Sequence, residues 1–267
     1  MIGAVNRMTA RMDGHWDLWA GCLSSTPEKA QRSADSLGLE RSYGSFEDMA
    51  TAESAREDGI DAVSIVTPNH MHLPIARAFL ASGIHVICDK PLTTDLAQAE
   101  AFAQDCGGND ARFFLTHNYS ASPLIRQAKA MVETGELGDV RLVHAEYLKD
   151  WLSRPADPGN VQAAGRTDPA RTGGAGAIGD IGTHAYHLAT FVVGEQASHL
   201  AADLSSFVDG RQVDDNANIM LRFTSGARGS IFASQVATGT ENGLKLRIQR
   251  PQRSAGGGAG TPTHTGA

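Results

Sequence analysis

With 267 residues, a net charge of −7, 41% hydrophobic and 20% charged residues, the chain has the make-up of a globular protein with one large domain or two ordinary ones. The negative charge argues against nucleic-acid and anionic-membrane partners, and no apolar run approaches the ~20 residues of a membrane helix. The first 25 residues lack the basic-then-apolar pattern of a signal peptide. Cys22, Cys88 and Cys106 have no metal-ligand spacing, and their odd number is poor support for disulfides, so a reducing cytoplasm is the simplest setting.

Met1 to Met12 reads as a helix with no strand before it. Asp17 to Leu23 is the first strand candidate, ending at Ser24 and Ser25. Thr26-Pro27-Glu28 predicts a helix start, with a capping threonine and proline at the first position. That helix runs to about Leu37 and stops at Gly38. Tyr43-Gly44-Ser45 is a brief extended piece, and Phe46 to Glu57 is helical.

The most informative stretch is Ala62 to Leu92. Ala62–Val66 is a short apolar run suited to a strand buried on both faces. Thr67-Pro68-Asn69 breaks it, because proline fixes its own φ and restricts the residue before it. From His70 the spacing is helical, with Leu73, Ala76 and Leu80 on one face and Ile75 and Phe79 beside them. Gly83 closes the helix as a left-handed cap. Ile84–Cys88 is a second apolar strand, ended by Asp89-Lys90-Pro91. Strand, helix and strand of this length form a parallel βαβ unit, and ligands of such sheets bind beyond the carboxyl ends of the strands. Both polar turns fall there.

Leu96–Cys106 is another helix, capped by Asp95 or Thr94, and Arg112–Thr116 another strand, ending in His117-Asn118-Tyr119. The alternation predicts an α/β doubly wound parallel sheet. The pattern then changes. Pro123–Thr134 is a helix closed by Gly135, and Val140–Leu148 alternates with period two. An irregular Gly/Pro/Asp-rich segment runs to Gly179, and Asp180–Val193 is helical. His199–Val208, Ala217–Phe223, Gly229–Ser234 and Leu244–Ile248 are strand candidates in close succession. This predicts an α+β domain with a mostly antiparallel open sheet. The expected domains are residues 1–119 and 120–248. Residues 249–267, rich in Gly, Thr and Pro, are expected to be a disordered tail.

Two clusters could carry chemistry. Lys90 is either a surface lysine of a βα turn or a group that holds a ligand hydroxyl and moves its proton. Asp180 and His184 stand four apart on one helix face. They read as an N-cap with its i,i+4 partner, as metal ligands together with His187, or as an acid/base histidine oriented by a carboxylate.

Taken together, Thr67-Pro68-Asn69 with His72, Asp89-Lys90-Pro91, Thr116-His117-Asn118-Tyr119 and Gly179-Asp180-Ile181-Gly182-Thr183-His184 resemble the glucose–fructose oxidoreductase / inositol dehydrogenase / MocA family. The resemblance covers roughly Ile2 to Ile248. It implies an NAD(P)-dependent oxidoreductase acting on a secondary alcohol or ketone of a sugar, cyclitol or derivative. The fold it implies is a Rossmann domain followed by a substrate-binding sheet domain, often used to form homo-oligomers. By resemblance, Lys90, Asp180 and His184 are catalytic. Ser24, Ser25, Thr67, Pro68, Asn69, His72, Asp89, Lys90, Pro91 and Asn118 line the NAD or NADP, and Tyr119, Trp151 and His187 face the substrate. No resident metal is implied.

Three departures from the family pattern shape the expectation. The family opens with a strand and a Gly-rich turn that cradles the pyrophosphate, whereas Ile2 onward resembles the helix after that turn. Asp89 stands where the family has glutamate. Beyond Ile248 the resemblance fades. A chain truncated at both ends, with weak cofactor binding, is the expectation. A catalytically inactive remnant or association module is the alternative, and a metal-dependent hydrolase the third.

Overall fold

The computed structural model of the protein describes residues 2–24, 26–106, 110–157, 159–250 and 254–258, and the chain divides into two units, Met1–Thr116 and His117–Ala267.

The first unit alternates α1 (Ile2–Arg11), β1 (Ala20–Gly21), α2 (Pro27–Leu37), β2 (Arg41–Ser42), α3 (Phe46–Ser54), β3 (Ala62–Ile65), α4 (His72–Ala81), β4 (His85–Asp89), α5 (Leu96–Asp105) and β5 (Phe113–Thr116). β3, β4 and β5 pair in parallel, with Ala62 opposite His85 and Val86 opposite Phe113. Their core is built from Ile65, Val86 and Cys88 of the strands, Met49 and Ala50 of α3, Leu73, Ala76, Phe79 and Leu80 of α4, and Phe102 of α5. Gly38 and Gly83 end α2 and α4 at φ +67° and +77°, a left-handed conformation open to glycine.

β1 and β2 form a separate parallel pair, and among the described residues no ladder joins them to β3. The strand expected over Asp17–Leu23 is confined to Ala20–Gly21, where the Trp19 carbonyl accepts from the Glu40 and Arg41 amides at 3.0 and 3.1 Å and the Gly21 carbonyl from the Tyr43 amide at 3.0 Å. α1 buries no side chain, and Ile2, Val5 and Met8 are all exposed. The caps differ from expectation at one place. Asp95 accepts from the Gln98 amide at 2.9 Å, but the Thr26 side chain makes no cap bond, leaving Pro27 to start α2. A brace that the sequence did not suggest ties this half together. The buried Glu53 carboxylate accepts from Arg41 Nε and the Tyr43 hydroxyl at 2.7 Å each, and from the Ile60 amide at 3.1 Å.

The second unit contains α6 (Pro123–Glu133), β6 (Leu142–Leu148), α7 (Val161–Thr167), α8 (Pro169–Thr172), α9 (Thr183–Val193), β7 (Ala197–Ser205), β8 (Asn216–Phe223), β9 (Arg228–Ser234), β10 (Gly243–Gln249) and β11 (Ser254–Gly258). They form one six-stranded sheet in the order β11-β10-β6-β9-β8-β7. Every pair is antiparallel except β6–β9, whose long crossover through α7, α8 and α9 suits a parallel return. Ala185, Leu188, Ala189 and Val192 of α9 share a core with Val143, Ala145, Leu221, Ile231, Leu244 and Leu246. The alternating burial of β6 and β10 is what one covered face requires.

Two expectations are corrected here. The segment read as irregular holds α7 and α8, begun by Asn160 accepting from the Ala163 amide and Asp168 from the Ala170 amide. Side-chain caps start these helices where no apolar periodicity shows. The tail expected to be disordered supplies Gln249 to β10 and Ser254–Gly258 to β11, antiparallel to Lys245–Gln249. A strand added to an open sheet edge is held by main-chain hydrogen bonds, so composition is a poor guide there. Residues 251–253 and 259–267 of that tail lie outside the described residues.

Candidate active site

In the first unit the sequence-selected residues gather at the carboxyl ends of the parallel strands. After β3, the exposed Thr67 and Pro68 lead through a short 3-10 turn, Asn69–Met71, into α4, with the Met71 amide bonded to the Pro68 carbonyl at 2.8 Å. After β4, Asp89 folds back: its Oδ1 accepts from the Lys90 amide at 2.9 Å and from Thr116 Oγ1 at 3.1 Å, tying the ends of β4 and β5 together. Lys90 is 8% exposed, and the Lys90–Pro91 peptide is cis. His72 is turned inward at 1% exposure, with Nδ1 2.6 Å from the Pro91 carbonyl and Nε2 2.9 Å from the Thr67 carbonyl. Ser24, after β1, accepts from the Thr26 amide at 3.2 Å, and Ser25 lies outside the described residues. Cys88, one residue before Asp89, is a core thiol whose pKa burial pushes up to about 12.

In the second unit the Gly-Asp-Ile-Gly-Thr-His segment is a single π-helical turn, Ile178–Gly182, running into α9. Asp214 anchors its entry, accepting from the amides of Gly176 and Ile178 at 2.7 Å each. The approach is so close that a Cβ at Gly176 would lie 1.9 Å from the Asp214 carbonyl oxygen. Asp180 sits inside the turn. Its carboxylate is clamped, with Oδ1 3.1 Å from Arg166 and Oδ2 accepting from Gln235 Nε2 at 2.8 Å. One turn on, His184 is 8% exposed, its ring among those of Tyr119, His117 and Tyr147, with centroids at 4.9, 5.8 and 6.0 Å. The Tyr119 and Tyr147 hydroxyls are 2.6 Å apart, and Tyr147 donates to Asn242 Oδ1 at 2.7 Å. Burial, followed by the bond to Tyr119, holds the Tyr147 hydroxyl well above its ordinary pKa. His187 stacks on His117 with centroids 4.1 Å apart, and burial lowers its pKa. Asn118 is exposed on the turn that carries Tyr119, and Trp151 stands 36% exposed on the turn after β6.

The two clusters thus lie in different units: Lys90 and the two turns in the first, Asp180, His184, His187, Asn118, Tyr119 and Trp151 in the second. Among the described residues, no group of three His, Cys, Asp or Glu side chains could hold a metal ion. The polar groups of the two turns end parallel strands, the position at which such sheets bind ligands. No strand–glycine turn–helix element for a pyrophosphate is present among the described residues. Gly174, Gly176 and Gly179 have the G-x-G-x-x-G spacing, but they follow α8 rather than a strand, and Gly176 is required by the Asp214 carbonyl.

Sequence reasoning missed Arg166, Gln235, Asp214 and Tyr147. Gln235, next after an apolar strand, carried a faint signal as a polar residue at a strand end. Arg166 carried none, lying in a segment read as irregular.

Comparison with known proteins agrees with this geometry. Residues 2–117 match the family described as "Oxidoreductase family, NAD-binding Rossmann fold", and residues 125–250 match the "GFO/IDH/MocA C-terminal domain". An oxidoreductase from Sinorhizobium meliloti is 48% identical, with a TM-score of 0.86 over 96% of this chain and 68% of that one. An inositol dehydrogenase homolog from Azotobacter vinelandii, solved with NADH and myo-inositol, is 32% identical with a TM-score of 0.87 over 96% of this chain and 66% of that one. Levoglucosan dehydrogenase from Pseudarthrobacter phenanthrenivorans is 29% identical over 86% of this chain, which spans 62% of its length. A Rossmann-like unit, a mixed-sheet unit and these matches together establish that the chain belongs to the Gfo/Idh/MocA family of oxidoreductases.

Proposed function

We propose that this chain takes part in NAD(P)-dependent hydride transfer to or from the secondary alcohol or ketone carbon of a sugar, cyclitol or related polyol. The observation that carries the reading is the clamped carboxylate of Asp180, one helical turn before the buried imidazole of His184. A nicotinamide, when bound, supplies or accepts the hydride. In this reading His184 takes the hydroxyl proton on oxidation and returns it on reduction, while Asp180 favours the charged imidazole. Arg166 and Gln235 hold Asp180 in place for that task. Lys90 donates a hydrogen bond to the nicotinamide ribose. Thr67, Pro68, Asn69, Asp89, Pro91, Ser24, Ser25 and Asn118 take the cofactor, and Tyr119, Trp151 and His187 the substrate. The relatives that bind myo-inositol or are named for levoglucosan support a cyclic polyol as the substrate class.

Two further readings accompany it. The sheet face turned away from α9 exposes Leu142 and Met220, and we assign self-association to it. Three free cysteines suit a reducing compartment, and no described helix is long and apolar enough to cross a membrane. The alternative of an inactive association module draws on the divided sheet of the first unit, where β1–β2 and β3–β5 are separate ladders.

Reduction of NAD+ or NADP+ by a panel of cyclic polyols tests the proposal. Turnover with at least one of them is expected, falling ~10²–10⁴-fold in His184→Ala. No turnover with either cofactor across the panel would overturn it in favour of the association module.

A further inference from the structure

Both nitrogens of the buried His72 ring face carbonyl oxygens, Pro91 at 2.6 Å and Thr67 at 2.9 Å. A carbonyl only accepts, and a neutral imidazole carries one N–H, so the neutral ring would set one nitrogen lone pair against an oxygen. Only the doubly protonated ring donates at both ends. The two carbonyls belong to the two turns after β3 and β4, the loops that carry Thr67-Pro68-Asn69 and Asp89-Lys90-Pro91. We infer that His72 is a positioning residue, an imidazolium cross-brace that locks these turns, and with them Lys90, to one another. The inference rests on the proposed function for its purpose, but not for its geometry.

Two charge effects bear on the brace. His72 begins α4, where the helix dipole disfavours a cation. Burial also disfavours a cation, and the two short charge-assisted bonds are what offset both effects in this inference. The titratable groups carried by the two turns are His70, Asp89 and Lys90, and Asp89 already accepts from the Lys90 amide and Thr116. The sequence order alone explains why such a residue is economical: the first residue of α4 stands over the turn before it and beside the end of the next strand.

Imidazole ¹⁵N spectroscopy of the full ¹⁵N-labelled chain at neutral pH reads the state directly, without cofactor or turnover. The His72 resonances are assigned by their loss in His72→Gln. Both ring nitrogens bearing protons is the expected result, and one nitrogen at the unprotonated shift would overturn the brace. A second arm compares amide exchange in wild type and His72→Phe, which keeps a ring but loses both donors. The Met71 and Lys90 amides should exchange roughly tenfold faster while Val86 in β4 is unchanged. A uniform rise through the unit, or no rise at either turn, would mark His72 as packing only. Neither readout needs dinucleotide binding, so a chain that failed the polyol assay would still decide this point.

Discussion

In the first unit the turns after β3 and β4 are held largely through main-chain atoms: His72 against two carbonyls, Asp89 on the Lys90 amide, Met71 on the Pro68 carbonyl. In the second unit the cluster around Asp180 and His184 is held side chain to side chain, with Arg166 and Gln235 on Asp180 and Tyr147 on Tyr119. The frameworks differ in the same sense. The second unit has one continuous sheet with α9 across it, whereas the first divides its parallel strands into two ladders and leaves the side chains of α1 unburied. A site made of strand-end turns needs only local bonds to keep its shape. A partly buried carboxylate such as Asp180 needs partners fixed from several elements, here Arg166 of α7 and Gln235 after β9. The contrast makes the first unit the more vulnerable to loss of a single brace.

The largest effect should come from Glu53, which links β2 to α3 and to the approach to β3. Glu53→Ala removes the acceptor of the Tyr43 hydroxyl and Ile60 amide and leaves Arg41 with Asp58 alone, and should cost the first unit about 3 kcal/mol in urea unfolding. Burial acts to raise this carboxyl, but bonds from Arg41 and Tyr43 hold it below the ordinary glutamate range. Its contribution is therefore present above about pH 4.3 and is lost as pH falls through the lower folded-state value, so the gap between wild type and variant should close in acid.

Gly176→Ala tests the other framework. A Cβ there meets main-chain oxygen, which cannot swing aside as a side chain would, and a loss of about 3 kcal/mol is expected in the second unit. Tyr147→Phe removes two hydrogen bonds at a residue 2% exposed and should cost about 1–2 kcal/mol, with the unfolding transition of the first unit unmoved. The smallest contrast is between two helix starts. Asp95→Ala should lower stability by about 1 kcal/mol, whereas Thr26→Ala, which removes no cap bond, should shift it by only a few tenths.

The parallel unit was legible because its strands read as short apolar runs and its helices carry a 3.6-residue period, so the Ala62–Leu92 stretch placed β3, α4 and β4 to within a residue or two at most ends. The turns announced themselves through Pro68 and Pro91. What escaped was long-range. Gln235 reaches Asp180 across 55 residues and Arg41 reaches Glu53 across 12, and no local period encodes either meeting. α7 and α8 escaped because their starts depend on single side-chain caps. Resemblance named Asp180 and His184 as partners in chemistry, but only the folded chain shows what clamps the carboxylate.

The measurement that bears most directly on the account is a fluorescence titration of wild type and Lys90→Ala with NADH. Since the turns after β3 and β4 are assigned to the nicotinamide end of the cofactor, the account predicts saturable NADH binding by wild type and several-fold weaker binding by Lys90→Ala. Superimposable curves for the two proteins, or no binding by either at millimolar NADH, would contradict the assignment of the β3 and β4 turns to the cofactor.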